Sequence, residues 1–203
     1  MLKAILTRGM ESAASVISDM IGRRVEMSVP DVSLVSYEKI ASVARHSVEE
    51  PSVGVKIGVT GDITGSVMLI FSPPSAYRLV DILMDNELGT TSSLGDIGGS
   101  AICEVGNLAG SFFLNFLAEA TGLHAMPAPP VLDGQTLVAE MLKSSVREGE
   151  DAPCDGNALV AQTVLTQSLQ SIEALFFIVP TPNSLATILE ALKAENRRES
   201  EVT

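Results

Sequence analysis

The spacing of apolar residues changes several times along the chain, and each change marks an element. From Leu2 to Ile21, Ile5, Ala13, Val16, Ile17 and Met20 keep roughly helical spacing, and Gly22 supplies a stop. The alternation VEMSVPDVSLV from Val25 to Val35 is that of a strand, which Pro30 confines to a sheet edge or bends into a bulge. Tyr37 to Ala44 reads as a short helix and Arg45 to Ser52 as a loop. VGVKIGVT and ITGSVMLIF follow as two strands joined through Gly61-Asp62, a hairpin signal. Pro73-Pro74 ends the second strand, and Ser75 is placed to cap a helix reaching about Asn86.

A second pass repeats this order. Leu88 to Gly99, rich in Gly, Ser and Thr, reads as a linker. The helix expected from Ser100 to Gly122 gathers Ile102, Val105, Leu108, Phe112, Phe113 and Phe116 on its core face. HAMPAPPVL is extended, Thr136 to Ser145 is a short helix, and Arg147 to Asn157 is an acidic loop. ALVAQTVL and SIEALFFIV are strands, Pro182 to Ala194 is a closing helix, and the charged tail from Glu195 to Thr203 is expected to fray.

The two passes superimpose. At an offset of 100 positions Gly22 falls on Gly122 and Pro30 on Pro130; at 106, Phe71 falls on Phe177, Pro74 on Pro180 and Leu79 on Leu185. Agreement in element order supports an internal duplication. The expected fold is therefore α+β: a pseudo-two-fold pair of helix-strand-hairpin-helix units sharing one β-sheet covered by helices. Residues 1–203 then form a single domain of two repeats, about 1–88 and 96–194, with 195–203 a flexible tail.

Composition narrows the function. The chain has 203 residues, 46% hydrophobic and 19% charged, which describes a globular protein with a real core. Its net charge of −12 repels phosphate backbones and anionic lipid, and 4% aromatic content offers few stacking platforms, so nucleic acid is a poor partner. Two cysteines, Cys103 and Cys154, make no disulfide framework and belong to no metal-spacing cluster. No uninterrupted apolar run reaches the length of a spanning helix, so a cytoplasmic protein with no membrane insertion is expected.

The candidate chemistry lies on the helix of the second pass. Ser100, Glu104, Asn107, Ser111 and Asn115 are spaced by four, three, four and four, so they form one polar stripe opposite the core face. A carboxylate accepts only and suits a partner's ammonium group; a carboxamide both donates and accepts, and can aim a water molecule without titrating. Held one turn apart, the two are a minimal kit for hydrolysing a phosphoryl group whose metal is held by the partner. Cys103 borders the stripe and is expected to pack inertly. His46 and His124 sit apart from any nucleophile, and GDIGGS lacks the Lys-Ser/Thr of a phosphate loop, so it reads as a helix lead-in.

Ser100, Glu104, Asn107 and Pro130 fit Ser/Asp, three residues, Glu, two residues, Asn, twenty-two residues, Pro. In this spacing, in EVGNLAGSFFLNFLAEATGL and in SDMIGRRVEMSVPDV, the sequence resembles the CheC/CheX/FliY family of response-regulator phosphatases, and its duplicated layout is closest to CheC. The resemblance implies hydrolysis of the phosphoaspartate on a CheY-type receiver. Asn107 would orient the attacking water and Glu104 would pair with a receiver lysine. The chain would bring no cofactor of its own, the receiver supplying Mg²⁺. Ser100 is expected to start the helix, Ser111 and Asn115 to fill its polar face or line a docking surface, and Pro130 to shape a strand. In the first repeat the corresponding positions are Ala4 and Thr7, so one working site and one degenerate site are expected. The deamidase CheD is a further partner under the resemblance, with the Arg147 to Asn157 loop as a contact. The alternative is a non-catalytic chemotaxis or flagellar-switch adaptor binding CheD or a receiver. Duplication within one chain favours a monomer.

Overall fold

The computed structural model describes residues 1–36, 51–138, 140–141, 157–167 and 170–201. The helix expected at 37–44, His46, Cys154 and all of the acidic loop except Asn157 lie outside these residues. The elements are α1 (Leu2–Ile21), β1 (Val25–Ser36), β2 (Ser52–Gly61), β3 (Gly65–Phe71), α2 (Pro73–Leu83), α3 (Asp96–Thr121), β4 (Ala125–Pro127), β5 (Val131–Thr136), β6 (Asn157–Gln167), β7 (Gln170–Pro180) and α4 (Pro182–Glu201).

The strands form one sheet in the order β1-β6-β7-β3-β2, with β4 and β5 both lying along the outer side of β2. Every neighbouring pair is antiparallel. The central pair carries the duplication in its register: Met68 faces Phe177 and Phe71 faces Ala174, and a shift of 106 residues exchanges these two pairs. A pseudo-two-fold axis therefore passes between β3 and β7. The outer strands are traded across it. β1 follows the first helix but pairs with the second hairpin, while β4 and β5 follow α3 but pair with the first.

β3 and β7 are buried on both faces, which is why they read as unbroken apolar runs. Val67, Leu69 and Phe71, with Ala174, Phe176 and Ile178, point to the main core, which residues of all four helices complete. Met68, Ile70, Leu175, Phe177 and Val179 point to a smaller core on the opposite face with Val138 and Met141. β1 is an edge strand, and its pairing with β6 slips between Ser28 and Asp31, around Pro30, as the sequence led one to expect.

α1 and α3 lie antiparallel. A Cβ on Gly9 would stand 3.1 Å from the Phe113 backbone, and Arg8 reaches 4.4 Å over the Phe116 ring and 3.6 Å from Glu119. Both helices end at a left-handed glycine, Gly22 at φ 64° and Gly122 at φ 71°, whose N–H donates to the carbonyl of Ser18 or Ala118.

Four expectations are corrected. α2 begins at Pro73 with Ser72, not Ser75, as its cap: the Ser72 hydroxyl accepts from the Ser75 N–H, and the prolines fill the first turn, where no N–H is needed. It ends at Leu83, before Asn86. Thr136 closes β5 and does not open a helix. α4 continues to Glu201 instead of stopping near Ala194, because its Lys, Arg and Glu residues favour helix and no Gly or Pro interrupts them.

Candidate functional site

α3 is the long helix of the fold, and its glycines decide how it lies. Added Cβ atoms on Gly106 and Gly110 would fall 2.6 Å from Val55 and 2.7 Å from Ile57, so one edge of the helix rests almost directly on β2. Ile102, Val105, Ala109, Phe113, Leu114 and Leu117 fill the space around that line, and Phe113 meets Phe176 edge-on at 5.6 Å. Leu108, Phe112 and Phe116, expected wholly in the core, are only half buried. The face left over is the polar stripe.

On that face Glu104 is exposed and Asn107 half-exposed, one turn apart on a helix clamped from behind. The Ser111 hydroxyl donates to Asn107 Oδ1 across a long 3.5 Å. The contact joins two neighbours of the stripe one turn apart. Asn115 continues the stripe in solvent. Ser100 is exposed but does not start the helix: α3 begins at Asp96, capped by Gly95, so Ser100 stands one turn inside. The stretch read as a linker thus ends earlier than expected. Gly98 and Gly99 are helical because each is packed, one against Val80 and the other against Leu132, and that packing outweighs their poor helix propensity.

Pro130 lies in the break between β4 and β5. Cys103 is partly buried, and burial pushes its thiol pKa up, away from nucleophilic character. His124 is exposed; its backbone exchanges hydrogen bonds with Asp62, the N–H donating to Oδ2 at 2.8 Å and the carbonyl accepting at 2.9 Å. Among the described residues no group of three or more His, Cys, Asp and Glu could hold a metal ion.

Ala4 and Thr7 occupy the matching places on α1, one exposed and the other half-buried, as Glu104 and Asn107 are on α3. Because the helices run antiparallel, the two positions fall at opposite ends of the pair. The first repeat has the frame without the acid and the amide.

One residue that shapes the approach to the site gave no signal in the sequence. Asp81, on α2, has no accessible surface, and its carboxylate accepts from the Gly89 N–H at 2.8 Å, the Thr91 N–H at 3.0 Å and the Thr91 hydroxyl at 2.6 Å. Burial pushes its pKa up, but the bonds from Thr91, Gly89 and Thr90 together outweigh it and hold the carboxyl below its ordinary value. It fixes the connector that leads into α3. A single acid among apolar helix positions is hard to distinguish from a solvated one until the loop folds over it.

No family model matches the chain. The CheY-P phosphatase CheC of Bacillus subtilis (strain 168) is 26% identical over 199 residues, covering 95% of this chain and 92% of that protein. In sequence and in fold the chain is similar to the CheC/CheX/FliY family. Two solved structures of that family share its fold. Thermotoga maritima FliY matches with a TM-score of 0.75 at 19% identity, over 96% of this chain and 95% of its own. CheX in the CheX-CheY-BeF₃-Mg²⁺ complex from Borrelia burgdorferi matches with a TM-score of 0.50 at 18% identity, over 85% and 95%. Within this CheC-like fold α3 alone, among the described residues, is long and apolar enough to cross a membrane. It instead lays its apolar side on the sheet, and the side it exposes carries Ser100, Glu104, Asn107 and Asn115.

Proposed function

We propose that this protein hydrolyses the phosphoaspartate of a CheY-type response regulator, with Glu104 and Asn107 as its working pair. The observation that carries this reading is their presentation: an acid and an amide one turn apart, facing outward from a helix whose other side is seated on β2. The similarity to a protein named CheY-P phosphatase over nearly the whole chain supports it, as does the fold shared with a CheX that is bound to CheY. Glu104 would grip a cation of the receiver and hold the complex in register. Asn107 would align a water with the acyl phosphate, using its carboxamide as donor or acceptor without changing protonation. The water oxygen bonds to phosphorus as the bond to the aspartyl oxygen breaks, releasing inorganic phosphate and a free carboxylate. The Mg²⁺ that balances phosphoryl charge would belong to the receiver, and the protein would meet it in the cytoplasm, as a monomer.

The test is phosphate loss from a CheY-type receiver labelled with acetyl phosphate. The parent protein should accelerate it, and Asn107→Ala should lose at least about a hundredfold of that acceleration while melting at the same temperature. No acceleration by the parent, or equal acceleration by the variant, would sink the reading and favour a non-catalytic adaptor.

A further inference from the structure

We propose that Ile97 is the centre of an apolar collar on which the receiver domain docks, and that it helps decide which phosphorylated protein reaches Asn107. The proposal rests on the reading of Glu104 and Asn107 just given. Among the described residues eight large apolar side chains are exposed, and four of them, Met20, Met84, Leu88 and Ile97, belong to one end of the helical layer. There α1 and α2 finish and α3 begins. The antiparallel packing brings the last turn of α1 level with the first turns of α3. Arg23, just past α1, pairs with Asp85, just past α2, and Gly98 of α3 lies against Val80 of α2. Single apolar residues on a surface need no explanation, but several around a polar pair mark a contact region.

Ile97 is 70% exposed and stands seven residues before Glu104, two helical turns along the same stripe. At 1.5 Å per residue it lies about 10 Å from Glu104 and about 15 Å from Asn107 along the axis. A standard protein interface covers about 800 Å² on each side, a disc of about 16 Å radius. A contact disc of that size centred on Asn107 has Ile97 at its rim, and one centred nearer Glu104 has it well inside. Leu88 is presented by the connector that Asp81 ties at Gly89 and Thr91, so little ordering is left to be done on docking. Glu87, Asp96 and Glu104 are exposed at this end, while Arg23 and Arg24 there pair with Asp85 and Glu26, which fits a partner offering cations around an apolar contact.

The experiment measures steady-state hydrolysis of the acetyl-phosphate-labelled receiver, and binding of the same receiver activated with beryllofluoride. Ile97→Ser should raise KM and weaken binding about tenfold, with kcat within about twofold of the parent. Ile97→Val should stay near the parent. If Ile97→Ser leaves KM and binding unchanged while Asn107→Ala is inactive, the collar is wrong and the phosphatase reading stands. If Ile97→Ser lowers kcat alone, the residue does not dock the receiver. An Asn107→Ala protein as active as the parent would remove both proposals.

Discussion

Replacing Asp81 with asparagine removes the charge that organises the approach to α3 while keeping its shape. The carboxylate's shortest bonds come from Gly89 at 2.8 Å and from Thr91 at 3.0 and 2.6 Å. Hydrogen bonds to a charged group contribute about 1.5–3 kcal/mol each, against about 1 kcal/mol for neutral ones. The amide can still accept at one oxygen, but its NH₂ must face a donor where the other oxygen was. One charged bond is lost and the rest are weakened, which together amount to about 3 kcal/mol. Urea unfolding at neutral pH measures this directly as the difference between parent and variant. The pH dependence has a definite sign. Unfolded, Asp81 titrates near its ordinary 3.8; folded, it titrates lower. Its contribution is therefore complete above the unfolded value and is lost as pH falls through the folded one. The gap between the two proteins should be flat from neutral pH to about 5 and narrow on the acid side. A variant within about 0.5 kcal/mol of the parent at neutral pH, or a gap that widens in acid, would refute the reasoning.

The other expectations concern the helix faces. Ser111→Ala frees the Asn107 carboxamide from its one long contact and should lower kcat about two- to threefold with KM little changed, as suits a positioning residue; single-turnover rates check it. In an Asn107→Ala background, the substitutions A4E and T7N together should restore little hydrolysis, because Arg8 lies one turn from Ala4 and would capture the new carboxylate. Adding R8L, which copies Leu108 of the second repeat, should restore measurably more. Equal activity with and without R8L would show that Arg8 is not what holds the first site silent.

Local chemistry explains what could be read without coordinates. β1 has Pro30 at its irregularity, α1 stops at Gly22, and the two hairpins keep their order, because period and turn residues act over a few positions. The polar stripe was legible for the same reason: helical spacing alone puts Glu104 and Asn107 on one face. The failures are positions where distant residues decide. Gly98 and Gly99 look like a linker until Val80 and Leu132 close on them. Asp81 looks like any surface acid until residues 89–91 wrap it. The exchange of outer strands between repeats leaves no mark in either repeat's own pattern, since an edge strand reads alike whichever hairpin it joins.

That exchange bears on why a repeat without Glu and Asn persists. Val25 to Ser36 forms the border of the sheet beside Asn157 to Gln167, so deleting the amino-terminal unit would strip the carboxyl-terminal hairpin of its neighbour and leave a bare row of amide and carbonyl groups. Exposed Ala4 and half-buried Thr7 can drift at little structural expense, while the backbone beneath them is locked to its counterpart. The first repeat is the other repeat's border, and the chain must keep it for the second hairpin to stand.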